Sequence, residues 1–471
     1  MGKKKGKKAA APRKFNAISI DAFKNTYDND WTFLDNKNLN ESLTRETRAR
    51  IRKRARYEVI NNPYAHGAAL TICDAVTPSA PRLQLTTRDD YDNDLLNRIE
   101  DDFEQWAQCV QLAEKVRAMR FAKFQDGESF AILHTDDEII DRCGVCLNFA
   151  PIDCSRVRSQ KYDDAFDVYD QDGIIIDNWG RPREYTVYNS TDYIGNITDF
   201  ETYPASRVIH WFRRSTPEQY RGVSELAPAL LTLAYLRRYT YATVRAAEIA
   251  ANLALILKTD AIDANDSGEI VTEATFHNGT MAIFPAGFDP QQLKAEQPTN
   301  GFEKMIDELL GAFGSSVGLP RLIVRKSAGG FTYASAKVDL SEMERFVSIE
   351  RAELSAAILD KLFYAWLKEY CVVWNITPPC LSVNWYFEQS IGDKIDPLKE
   401  ASAVEKRFAS NTTTYAREYA LRGLDWQKEI EQKAKEAAYI KELEKKYNIE
   451  LIAKQTTGGV DGVDSQDDND D

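Results

Sequence analysis

Apolar residues recur at three- and four-residue steps in three stretches between Arg221 and Glu369, and that periodicity predicts three helices around which the chain is arranged. The first stretch, RGVSELAPALLTLAYLRRYTYATVRAAEIAANLALILK, is expected to turn helical after Gly222, with Ser224 as N-cap and Pro228 early enough to be tolerated. Its Leu226, Leu230, Leu233 and Val244 fall near one face. In the second, GFEKMIDELLGAFGSSVGLP, Phe302, Met305, Ile306, Leu309, Leu310, Phe313 and Val317 share one side, opposite Glu303, Lys304, Asp307 and Glu308. Gly318 and Pro320 stop it, and RLIVRKSAGGFTY then reads as a short extended piece and a loop built on Gly329 and Gly330. The third runs from about Ala334 to Glu369 with Met343, Val347, Leu354, Ile358, Leu362 and Trp366 on a stripe; at about 1.5 Å per residue it is roughly 50 Å long.

Other periods surround these helices. Leu43 to Val76 reads as helix broken at NNPY, because Pro63 excludes the helical conformation for Asn62 and restarts a helix at its own position. Residues 90–125 read as one helix carrying Leu95, Leu96, Ile99, Phe103, Trp106 and Met119. From Glu128 to Trp211 the pattern changes to short β-branched or aromatic runs punctuated by Gly, Pro, Asn and Asp, which predicts strands. The stretch Thr259 to Asn300, rich in Gly and Pro around Met281 to Phe284, predicts a small β-containing insert between the first two helices, and LSVNWYFEQ predicts a late strand returning to the same domain. The class is α+β.

With 471 residues the chain is long enough for a large core and more than one domain. No run of 18 or more apolar residues occurs, and the basic start MGKKKGKKAAAPRKF lacks an apolar segment, so neither a signal peptide nor a membrane span is expected. The net charge of -13, from 60 Lys and Arg against 73 Asp and Glu, excludes a general nucleic-acid binder of basic type. Charge is unevenly placed: the start is lysine-rich, Arg45 to Arg56 is arginine-rich, and the end DGVDSQDDNDD is acidic. Both ends are expected to be flexible.

Reactive constellations are sparse. Seven cysteines, an odd number, argue against a disulfide framework, and CGVC (Cys143 to Cys146) lacks the second ligand pair a structural zinc needs. The four histidines, His66, His134, His210 and His277, form no HExxH or paired spacing. GAFGSSVG lacks the lysine of a phosphate-binding loop, and its glycines suit close helix approach instead. Asp136, Asp137 and Glu138 suggest a Mg-dependent nuclease as the enzyme alternative, but their position between two strand-like runs reads as a solvated turn. No catalytic residue, metal or cofactor is assigned.

Three blocks in order, NNPYAHGAALTICDAV, VIHWFRRSTPEQYRGVSELAPAL, and LLGAFGSSVGLPRLIV with GGFTYASAKVDLSEMER, resemble the portal proteins of tailed bacteriophages, lambda-type branch, over roughly residues 45–430. The resemblance departs at TPSAPRLQ, where a Gly-bearing turn is expected. It implies a portal-type fold: a flexible basic arm (1–40), a wing (41–220), stem helices (221–258 and 301–319) flanking a clip (259–300), a channel loop (320–335), a long helix returning to the wing (336–390), a helical crown (391–450) and an acidic tail (451–471). Leu226, Leu230, Phe302, Met305, Ile306, Leu309, Leu310 and Phe313 would pack the stem, and Arg325, Lys326, Gly329, Gly330 and Phe331 would form the channel loop, with transient phosphate contact at the two cations.

The implied function is structural: a ring of about twelve subunits at one capsid vertex, assembled in the bacterial cytoplasm. Double-stranded DNA would pass through it during packaging and ejection. Its partners would be the terminase large subunit, head-tail adaptor proteins, and the major capsid and scaffold proteins, with no membrane. Another virion component, such as an adaptor, is the structural alternative.

Overall fold

The computed structural model describes residues 39–87, 93–160, 170–191, 197–252, 256–259, 288–291, 301–327, 329–330, 332–377, 380–388, 397–422 and 424–447. Most of the expected clip, the N-terminal arm, the acidic tail and Phe331 lie outside the described residues. The chain divides into two units, Met1–Pro397 and Leu398–Asp471.

The first unit begins with α1 (Leu39–Ser42), α2 (Arg45–Asn61) and α3 (Pro63–Val76). Asn62 is extended and its side chain accepts from Tyr64 N, so the break at NNPY ends one helix and caps the next. Next come β1 (Arg82–Thr87), α4 (Asn93–Cys109) and α5 (Leu112–Asp126). The single helix expected over 90–125 is thus two, because Gln111 takes a left-handed backbone (φ 55°) between buried Val110 and Leu112.

The strand-rich region follows as β2 (Glu128–Thr135), α6 (Ile140–Cys143), β3 (Leu147–Ile152), β4 (Ile174–Ile176), β5 (Pro182–Thr191), β6 (Ile197–Pro204) and β7 (Val208–Phe212). They form two antiparallel sheets, ordered β3-β2-β7 and β4-β5-β6. Central β2 is buried on both faces: Ala131 and Leu133 join the main core, while Phe130 and Ile132 join a smaller one with Ile174, Val187 and Val208.

The helical hairpin is α7 (Leu230–Asn252) and α8 (Phe302–Val317), with short strands β8 (Ile256–Thr259) and β9 (Phe288–Gln291) pairing antiparallel between them. Helix α7 starts later than expected: 221–226 is non-helical and Ala227–Ala229, containing Pro228, forms a 3-10 turn. Crosswise bonds explain the delay, since Gly222 N donates to Glu128 and Ser224 Oγ donates to Phe124 O.

After Gly318 (φ 73°) comes α9 (Arg321–Arg325), a helical turn where an extended piece was expected. Arg321 and Arg325 on it both reach back to Asp307, which favours the helical form. The long helix is present as α10 (Tyr333–Leu354), a π turn at Ser355–Leu359, and α11 (Asp360–Val373), followed by β10 (Leu381–Tyr386). Strand β10 pairs with β1 in a separate two-stranded sheet; in TPSAPRLQ, where the sequence departs from the Gly-bearing turn of the resemblance, a bend at Pro78–Ser79 without glycine leads into β1. In the main core Trp366 meets Phe103 edge-on at 5.2 Å and stacks on Tyr370 at 4.6 Å.

The second unit holds α12 (Pro397–Ala409), α13 (Tyr415–Ala420) and α14 (Trp426–Tyr447). Arg407 pairs with Glu418 at 3.5 Å and Phe408 packs on Tyr415 at 4.7 Å, while α14 buries none of its residues.

Gly127 and Gly222 cross so closely that a Cβ on Gly127 would lie 2.1 Å from Val223 C, and one on Gly222 would lie 2.1 Å from Gly127 O. Gly127 also has φ 93°. Gly127→Ala therefore combines a backbone clash with a disfavoured torsion and is expected to destabilise the fold by at least about 2 kcal/mol, measured as a shift of the urea midpoint. An unchanged midpoint would mean that the crossing is looser than described.

Candidate functional site

The segment from β7 to α7 crosses the start of β2, and two buried charge clusters fix it there. At the first, Glu128 opens β2 with its carboxylate fully buried. It accepts from Arg221 Nε at 3.1 and 3.0 Å and Nη2 at 2.6 Å, and from Gly222 N at 2.9 Å. His210 Nε2 approaches it at 3.4 Å. Arg221 Nη1 donates to Val157 O at 3.2 Å and to Asp172 O, while Arg45 and Arg48 converge on the Asp172 carboxylate. Two sheets and helix α2 are thereby tied to one guanidinium.

Burial alone would push the Glu128 pKa up, but Arg221 and then His210 override it and hold it well below 4.5. Burial pushes His210 below 6.5 against the opposing pull of Glu128. Its ring is stacked between Phe130 at 4.1 Å and Phe212 at 4.4 Å.

The second cluster joins α5, α10 and the segment before α7. Arg120, Lys123 and Glu350 are all fully buried. Lys123 Nζ donates to Glu350 at 2.7 Å and Glu353 at 3.2 Å, and lies 4.8 Å from the centre of the Trp211 ring. Arg120 reaches Glu225 at 3.0 Å and Glu350 at 3.1 Å. Burial opposes ionisation of Glu350, yet Arg120 and Lys123 leave its pKa lowered. Neither Glu128 nor Glu350 stood out in the sequence; the only signal was a carboxylate at an otherwise apolar position.

Of the residues assigned to stem packing, Leu226, Leu230, Leu310 and Phe313 are buried in the main core, and Ile306 and Leu309 pack against it partly buried. Phe302 stacks on Tyr239 at 5.5 Å, whereas Met305 is 47% exposed. Gly314 lies against its own helix end, 2.6 Å separating its would-be Cβ from Leu319 O; Gly311 meets nothing within 4 Å.

At the channel-loop residues, Arg325 is engaged within its own chain, donating to Glu303 at 2.8 Å and Asp307 at 3.1 Å. Arg321 reaches the same Asp307 at 3.1 Å, and Leu322 N donates to Asp339 at 3.4 Å, so α9 is clasped to both α8 and α10. Lys326 is left-handed (φ 49°) and exposed, with its Nζ near Gly67 of α3. Gly330 is also left-handed (φ 85°), and a Cβ there would meet open space. Thr332 and Ser335 form a capping box that starts α10 beyond the loop.

The remaining candidates serve local structure. Asp136 caps the turn at Asp137–Ile139 through Glu138 N and accepts from Asn148 at 2.7 Å. Asp126, Asp153 and Cys154 lie close enough together to suggest a metal, but Arg56 already bridges the two carboxylates at 2.6 and 2.9 Å. Among the described residues, no helix is long and apolar enough to cross a membrane.

These features define a mixed helical and sheet scaffold whose buried charge clusters hold the segment leading into a helical hairpin, with a clasped loop beyond it. Residues 28–351 match the family model of the phage portal protein, lambda family, which is well over half of the chain; the chain belongs to that family. It is accordingly a structural component of the virion portal and not an enzyme. A chain in the neck of an empty GTA particle, computed with C6 symmetry, is similar at a TM-score of 0.51 and 13% identity, covering 78% of this chain and 92% of that one. Another, in the virion of a native gene transfer agent (GTA) particle, overlays at 0.49 and 12% identity, covering 79% and 93%.

The first cluster predicts acid sensitivity with two origins. Unfolded His and Glu titrate near about 6.5 and about 4.3, and both folded values lie lower, so the unfolded state binds more protons below each. Stability is present at neutral pH, begins to fall as the pH drops below about 6.5, and falls further below about 4.3. Urea midpoints against pH should show His210→Gln flattening the upper limb, with a smaller reduction of the lower limb because His210 also helps to depress Glu128. Glu128→Gln, leaving Arg221 buried without its counter-ion, should cost about 3–5 kcal/mol at pH 7.

Proposed function

We propose that the chain forms a closed ring of about twelve copies at one capsid vertex, through which double-stranded DNA enters during packaging and leaves during ejection. The observation that carries this reading is the attachment of the α7–α8 hairpin to the wing by two buried charge clusters, in a chain of the portal family. A wall element of a channel has to keep its tilt under load, and buried ion pairs with several geometrically fixed hydrogen bonds resist rotation. The neck particle with a chain similar to this one at a TM-score of 0.51 is described with C6 symmetry, which is compatible with a closed ring.

In this assignment residues 41–220 form the wing, α7 and α8 the stem, 259–300 the clip, 320–335 the channel loop, α10 and α11 the long helix, and 391–450 the crown. The terminase large subunit docks on the clip during packaging, and adaptor proteins replace it afterwards. Capsid and scaffold proteins surround the wing, and assembly takes place in the host cytoplasm.

The charge pattern fits a passive conduit, since every retained phosphate contact resists sliding. Arg325 serves mainly to position the loop through Glu303 and Asp307, and Lys326 is the cation offered to passing phosphates.

Light scattering on the purified protein, with electron micrographs of the same peak, should give rings of about twelve subunits with a central hole. A compact two-fold dimer at every concentration would refute the ring. In a phage assay, Arg325→Ala combined with Lys326→Ala should lower the amount of DNA packaged or retained. Unchanged packaging and retention would remove the functional content of the loop assignment.

A further inference from the structure

A groove of about 920 Å³ runs along α11 between the β2–β3 end of one sheet and the turn before β7. Its floor is apolar, made by Leu133, Leu147, Ala365 and Leu367, with the Tyr364 ring 52% exposed at its edge. Its polar lining is cationic: Arg207, Lys361 and Lys368, with His134 beside them. Among the described residues no carboxylate lines it, although the chain as a whole carries a net charge of -13. The nearby acids are turned to other tasks, Asp136 accepting from Asn148 and Glu369 from Cys146 N.

The cations are also held in place. Lys361 Nζ donates to Ala205 O at 2.7 Å and to Val208 O, and Arg207 donates to Leu133 O at 3.3 and 3.2 Å. In these contacts neutral carbonyls orient the two charges; Glu201 lies within electrostatic reach of Arg207, while burial alone acts on Lys361 and lowers its pKa. Lys361, Tyr364, Ala365 and Lys368 lie on one stripe of α11, and Val372, 80% exposed, continues it. From Lys361 to Val372 the stripe is about 16 Å long, which matches about five extended residues.

We propose that this groove binds an acidic peptide segment of a partner protein, its carboxylates on Arg207, Lys361 and Lys368 and an apolar side chain against Tyr364 and Leu367. Cations held on carbonyls select carboxylates, and the apolar floor supplies contact area that a nucleic-acid backbone cannot use. Tyr364, a partly exposed aromatic beside a charged rim, is the residue expected to dominate the affinity. The inference goes beyond the portal reading, because it concerns a groove between the β2–β3 sheet end and α11 and not the channel loop.

The test is fluorescence anisotropy on the purified full-length protein with a fluorescein-labelled peptide of about seven residues that alternates Asp with Leu and Phe. Binding should weaken with salt, and a Lys-for-Asp peptide should not bind. Lys368→Glu and Tyr364→Ala should each lower affinity at least about tenfold. Among the described residues neither has a side-chain hydrogen bond or ion pair to lose, and circular dichroism checks that both variants fold. Absence of binding, equal affinity of both variants and wild type, or displacement of the peptide by a DNA duplex would overturn the proposal. Micrographs of the same sample report the ring separately, so failure of the groove and failure of the ring are distinguishable.

Discussion

The ion pair between Glu128 and Arg221 is the constraint on which the first unit depends. One guanidinium there joins the first residue of β2, the loop carbonyls at Val157 and Asp172, and the segment that leads into α7. Removing two such charges from water is costly, and the arrangement is stable because the backbone N–H of Gly222 and the nearby carbonyls complete their hydrogen bonding. That completion requires Gly127 and Gly222 to cross without side chains between them. The glycines, the late start of α7 and the depressed pKa of Glu128 are consequences of one packing decision. An apolar replacement of the pair could give similar stability but not the same directional hold on the hairpin.

The second cluster extends the hold to the long helix. Glu350 on α10 and Glu225 before α7 share Arg120 and Lys123, so the hairpin and the long helix are referred to the same buried helix, α5. Five residues beyond Glu350 the long helix passes into a π turn, and its second half is fixed by the aromatic packing of Trp366 with Phe103 and Tyr370. The loop at α9 is therefore carried between two elements whose bases are separately anchored. Its own clasp, two arginines on Asp307, is half-exposed and correspondingly weaker. Any movement within this unit is expected first at the loop and last at the clusters.

The helices of the hairpin and the long helix were legible because burial on one face writes a three-to-four period into the sequence, as Leu310, Phe313, Met343 and Val347 show. The break at Asn62 and the restart at Pro63 were legible because proline restricts its neighbour; the side-chain cap that Asn62 supplies was not read. What escaped had non-local causes. The break at Gln111 is a left-handed residue with no glycine to announce it, and the α9 turn depends on Asp307, fourteen or more residues upstream. The charge clusters are the clearest case: Glu128 and Arg221 are far apart in the chain, and ordinary composition hides a carboxylate that becomes fully buried. The channel-loop cations were legible as a pair of charges, but that Arg325 already has two partners could only be seen in three dimensions.

That last difference bears on how DNA would meet the protein. The arginine-rich stretch from Arg45 to Arg56 looks in sequence like a phosphate-binding surface. Yet Arg45 and Arg48 converge on Asp172, Arg50 pairs with Glu46, and Arg56 bridges Asp126 and Asp153. The same holds for Arg120, Arg221, Arg237, Arg321 and Arg325, each with a carboxylate of its own chain. A guanidinium already bonded to a carboxylate has little to gain from a phosphate, because one ion pair must be broken to form another. Among the described residues, these matched arginines are less available to a polyanion than the sequence suggests. Under the proposed conduit reading, weak retention is the property that would allow fast movement, and it would follow from where the arginines find their partners.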